Sequence, residues 1–114
     1  IIDWQLCFQS IPQWDIAYFL AGNFDPEFRR AHQHDLLRAY HQSLQDHAVV
    51  GYSFDQCWTD YRKAALVLIG YMVTGAADVK LETLNDRGRE LMDRMFSRYA
   101  EAVLDLESAE FLLV

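Results

Sequence analysis

The feature that most constrains this chain is a series of long segments with apolar residues three and four apart, each opened by its own helix-start signal. Asp25-Pro26-Glu27 opens one of them. Asp25 can cap free amides, Pro26 suits a first helical position where its missing N–H costs nothing, and Glu27 complements the positive end of the dipole. That helix is predicted to run to about His47, with Leu37, Tyr40 and Leu44 on one stripe, Phe28 and Leu36 nearby and the opposite face wet. Ser53 followed by Gln56 fits a capping box and opens a helix to about Ala76. Its half from Ala64 to Val73 is apolar all round and is expected to enter the interior, with Gly70 and Gly75 at close helix contacts. A last long helix is predicted from roughly Thr83 to Leu106, with Leu84, Leu91, Met92, Met95, Tyr99 and Val103 as its stripe, then a final turn within Ser108–Val114 that packs Phe111 and Leu112 back.

Before these lies a short, nearly all-apolar helix from Trp14 to Ala21, entered through a loop containing Pro12 and stopped by Gly22 in the left-handed conformation. Such a helix is expected to be buried, which makes Asp15, its one ionisable residue, the residue to explain. Ile1 to Gln5 reads as a buried strand. The chain opens in the middle of it without an initiator Met, which reads as the mark of a fragment. The expected fold is therefore mainly α, about four to five helices after a short strand remnant, in one unit spanning residues 1–114.

Composition closes off several functions. With 52% hydrophobic and 14% aromatic residues the chain can bury a core and is not a disordered segment. Its net charge of −7 and the lack of a basic run interleaved with aromatics exclude nucleic acid as a partner. The acidic balance serves solubility and would favour a cationic substrate over an anionic one. The apolar run of residues 64–73 is too short for the ~20 residues that cross a bilayer, so no membrane partner is expected. Cys7 and Cys57 lack CxxC spacing and read as reduced thiols of a cytoplasmic protein, Cys57 as core filler beside Met92 and Met95. His32 and His34, two apart, cannot form the i, i+4 pair of zinc helices, and all four histidines, with His41 and His47, read as surface residues. Asp60, Arg62 and the 86–90 charge run likewise read as solvent-facing.

Two motifs carry chemistry. Ile1-Ile2-Asp3-Trp4-Gln5 places a carboxylate at a strand end between apolar neighbours, and Pro12-Gln13-Trp14-Asp15-Ile16-Ala17 follows at a short distance. Together they resemble the metal-binding segment and the Pro-x-x-Asp-Leu-Ala motif of aminoglycoside-phosphotransferase and choline-kinase-like enzymes. With Tyr40-His41 and Gly51-Tyr52-Ser53-Phe54, the resemblance extends through the chain and is closest to the ecdysteroid-kinase-like branch. The first motif alone would be weak; the second at the right distance makes the pair more specific.

The resemblance implies the helical C-terminal lobe of a protein-kinase-like fold. It implies that Asp3 is a Mg²⁺ ligand beside ATP phosphates, with Trp4 packing beside it, and that Asp15 braces the catalytic loop by accepting its backbone hydrogen bonds. An ordinary helix-start carboxylate remains the alternative for Asp15. The family's catalytic loop, a His-x-Asp segment with an Asn five residues after its Asp, is not found, nor are the phosphate-covering loop and the ATP-binding Lys. The chain alone is thus expected to lack a catalytic residue and to hold no cofactor, while the parent protein would use Mg²⁺ and ATP to phosphorylate a small-molecule alcohol. The alternative is a free-standing helical module that binds a ligand, or a second copy through the apolar face from Trp14 to Leu20.

Overall fold

The computed structural model describes residues 8–77 and 79–112. Four helices make the fold: α1 (Gln13–Asn23), α2 (Pro26–Asp46), α3 (Phe54–Ala77) and α4 (Asp86–Asp105), with 3-10 turns at Leu81–Thr83 and Ser108–Leu112. No strand forms among the described residues, and none of their helices is long and apolar enough to cross a membrane. The mainly α expectation is met; the strand predicted at Ile1 to Gln5, with Asp3 and Trp4, lies outside the described residues.

Helix α3 is central. It packs most extensively on α1, then on α4, and also touches α2 and the terminal 3-10 turn. The core is small-grained: Ala17 and Ala21 of α1, Ala64 and Ala65 of α3 and Ala102 of α4 are buried between Leu20, Leu37, Leu68, Leu106, Tyr61 and Tyr99. Alanines let the helix axes approach closely, while each buried leucine contributes about 2 kcal/mol.

The ends of the elements differ in instructive ways from the sequence expectation. Ser53 caps α3 as predicted, its Oγ accepting from the Gln56 amide at 3.1 Å, but the Gln56 side chain donates to Asp60 instead of returning to close the box. Asp25 stands at the start of α2 without a side-chain capping bond; its carboxylate pairs with Arg98 of α4 instead. Helix α4 starts later than Thr83, because Asn85 accepts from the Gly88 amide at 2.8 Å and fixes the first turn there. Gly22 does not stop α1 in a left-handed conformation; the helix runs on to Asn23, and Gly22 leaves room for Tyr99, whose hydroxyl oxygen would lie 2.7 Å from an added Cβ. Among the described residues the left-handed ones are Ala48, Gly51 and Glu107. At Ala48 the chain closes α2 with the paired bonds Ala48 N–H to Gln45 O and Val49 N–H to Leu44 O, a motif usually built on glycine.

Two apolar segments are less buried than expected. Helix α1 buries Gln13, Ala17, Leu20 and Ala21 on one stripe and leaves Tyr18 and Phe19 at 42% and 53% exposure, because α3 and α4 cover only one side. In α3, Ala64, Ala65 and Leu68 face inward, whereas Val67, Tyr71 and Val73 stay exposed. Among the described residues nothing lies within 4 Å of a Cβ added at Gly70 or Gly75, so neither marks a close contact between the described helices.

Candidate functional site

The site predicted from sequence centres on α1. Asp15 sits in its first turn and is exposed, a correction to the buried carboxylate expected there: the face of α1 that docks is the one through Gln13, Ala17 and Leu20. Pro12 precedes the helix without a side-chain cap. Beside Asp15, the Trp14 ring meets Phe8 and Tyr71 edge-on at 5.3 and 5.7 Å, tying the entry of α1 to the second half of α3.

Beneath this turn the first residue of α1 reaches the core. The Gln13 side chain is buried, its Nε2 donating to Cys57 Sγ at 3.5 Å, while its Oε1 is buried with no partner among the described residues. A polar group so placed costs stability unless satisfied. Burial pushes the Cys57 thiol above its ordinary pKa against hydrogen bonds from Gln13 and Tyr52, so it stays protonated and unreactive. Tyr40 is raised chiefly by burial, so it too remains a neutral hydroxyl. Tyr52 is raised by burial and by Asp60, to which its hydroxyl donates at 2.9 Å.

Three polar residues read from sequence as solvent-facing turn inward. His41 is buried and its Nε2–H donates to Tyr52 O at 2.7 Å; the carbonyl can only accept, so the proton sits on Nε2. Asp60 is half-buried between Tyr52 and Gln56. Arg62 is half-buried and finishes α4: Nε donates to Leu106 O at 2.7 Å, the guanidinium pairs with Glu110, and it stacks on Phe111. That satisfies a carbonyl left open at the helix end. His32, His34 and His47 are exposed as expected.

The largest polar feature went unread in the sequence. Arg29, Gln33, Leu37 and His41, each four residues after the last, form the buried stripe of α2. Arg29 is 1% exposed and donates to Gln33 Oε1 at 3.0 Å and to Asp105 of α4. Tyr61 of α3 donates to the same Gln33 oxygen at 3.0 Å, its hydroxyl pushed up to about 12 by burial against the opposing pull of Arg29. Arg30 adds bonds to Asp105 and Glu101, both at 2.7 Å. Burial alone would raise the Asp105 carboxyl, but hydrogen bonds from Arg30 and Arg29 outweigh it and hold its pKa below the ordinary value. This network ties α2, α3 and α4 together. The i+4 spacing of Arg29, Gln33 and His41 was the available signal.

Among the described residues no group of three or more His, Cys, Asp or Glu side chains could hold a metal ion, and Asp3, the expected Mg²⁺ ligand, lies outside them. Asp3 and Asp15 are therefore not seen together.

Compared with known families, residues 1–50 match the ecdysteroid kinase-like family, a match that includes Asp3, Asp15, α1 and α2 and stops before α3. Neither the curated proteins nor the solved structures include a match to this chain.

Proposed function

We propose that this chain is the helical part of a small-molecule kinase of the ecdysteroid-kinase-like type, within the broader aminoglycoside-phosphotransferase and choline-kinase-like group. The reaction is transfer of the γ-phosphoryl group of ATP to a hydroxyl of a small molecule, in the cytoplasm. The observation that carries this reading is the family match over residues 1–50, which holds both motif carboxylates. Asp3 is a hard oxygen donor of the kind Mg²⁺ takes, and the ion would neutralise phosphate charge. Asp15, exposed on the first turn of α1, is free to accept backbone hydrogen bonds from a catalytic loop supplied by the rest of the kinase. The helices would wall the acceptor site, and no catalytic base comes from residues 8–112.

The test uses the complete gene product. Its sequence ahead of Ile1 should carry a His-x-Asp segment with an Asn five residues on. Asp3→Ala should abolish Mg²⁺-dependent ATP consumption with hydroxyl acceptors while leaving the circular dichroism of the helices unchanged; retained activity refutes the metal role. Asp15→Asn should lower kcat by about 100-fold, the scale on which misplacement of reacting groups acts.

The exposure of Tyr18 and Phe19 favours a second reading, a helical module that pairs with another copy through α1 without catalysis. Its signature is a native mass near twice 13.3 kDa. Phe19→Ser should then return it to the monomer mass.

A further inference from the structure

Resting on the kinase reading above, we infer that Arg98 and Tyr99 of α4 are positioning residues that set the rotation of α1 and, through it, the direction of the Asp15 carboxylate. Both lie beyond residues 1–50, so the family match does not assign them a role.

Most of what holds α1 to α3 is apolar and fine-grained, Ala17, Leu20 and Ala21 against Ala64, Ala65 and Leu68. Such contacts are not directional and leave a short helix free to turn or slide by small amounts. The first turn is held to α3 by the long Gln13 Nε2 to Cys57 Sγ bond and by the Trp14–Tyr71 edge contact, and it has no side-chain N-cap. The second half of the helix and its exit take their directional bonds from α4. Arg98 Nη1 donates to Gly22 O at 3.0 Å, and its Nη2 pairs with Asp25 just past the end of α1. The Tyr99 hydroxyl donates to Tyr18 O at 3.3 Å. Burial raises that hydroxyl, so it stays protonated and able to donate. The Tyr99 side chain also fills the space over Gly22, where a Cβ would meet its hydroxyl oxygen at 2.7 Å.

Helical geometry connects these contacts to Asp15. At 100° per residue, Asp15, Tyr18 and Gly22, related as i, i+3 and i+7, lie along one face of α1. Whatever fixes the azimuth of Tyr18 and Gly22 fixes that of Asp15 two turns away. Loss of the clamp would leave the helix formed and packed but let Asp15 swing relative to the loop it braces.

The experiment compares Arg98→Ala, Arg98→Lys and Tyr99→Phe in the complete gene product, with active sites titrated. Arg98→Ala and Tyr99→Phe should lower kcat about 10-fold with KM for ATP within twofold, and Arg98→Lys, which keeps a cationic donor for Gly22 O, should lose less than Arg98→Ala. An unchanged kcat per active site, with loss only of folded fraction, overturns the inference. Hydrogen exchange on the 114-residue chain separates the two hypotheses. If the wild type transfers no phosphate but Arg98→Ala speeds exchange of the α1 amides, the kinase reading fails and the clamp on α1 stands; unchanged exchange removes the clamp as well.

Discussion

At the scale of single residues, the decisive pairing is Arg29 with Asp105, because a guanidinium at 1% exposure has no water to fall back on. Asp105→Asn should destabilise the fold by about 3 kcal/mol, the low end of the ~3–5 kcal/mol for removing one partner of a buried pair, since Asp105 keeps 24% of its side-chain surface in water. The pH dependence follows from its depressed pKa. The stabilisation is complete above the unfolded carboxyl pKa of ~3.9 and is lost as pH falls through the lower folded value. Urea titrations below pH 4 should therefore show the wild type losing its advantage over Asp105→Asn. Gly22→Ala sets helix propensity against a clash: the new methyl gains up to ~1 kcal/mol as a helix former but overpacks against Tyr99 at a cost of ~1–3 kcal/mol. A net loss in thermal stability is expected, and it should largely vanish in a Tyr99→Phe background, where the offending oxygen is gone.

Among the elements, helix boundaries were legible wherever a local signal decides them. Pro26 and Ser53 mark starts that the structure keeps, because a missing N–H and a hydroxyl cap act within one turn. What sequence could not supply was the distant partner. Asp25 looks like a cap until Arg98 arrives from α4, and Arg29, Gln33 and His41 look like a wet face until Tyr61, Asp105 and Tyr52 are placed against them. The candidate site was legible only as motifs: Asp15 lies where the spacing put it, on α1, but its exposure depends on which side of that helix α3 and α4 cover. Ala48 offers a test at this scale. It holds the left-handed position closing α2 at φ 64°, a conformation that costs a residue with a Cβ ~1–2 kcal/mol. Ala48→Gly should raise stability by about 1 kcal/mol, read as a higher urea midpoint with an unchanged slope. The second half of α3, with Val67, Tyr71 and Val73 exposed, should exchange its amides faster than the half bearing Cys57, Tyr61 and Ala64.

For the whole molecule, cooperativity follows from α3 touching every other helix and from the Arg29 network joining three of them. Far-ultraviolet ellipticity and emission from the three tryptophans, Trp14 and Trp58 among them, should report one coincident unfolding transition; separate midpoints would show that α1 and α2 come away independently. The stripe of α2 carries a final consequence. A greasy seam of uniform leucines tolerates being shifted by a turn, since one leucine replaces another. Here a shift of four residues along α2 would carry the Arg29 charge out of reach of its carboxylate and bring an amide where that charge had been. Collapsed but misaligned packings are thereby made expensive, and the chain has a single arrangement in which every buried polar group of that helix is answered.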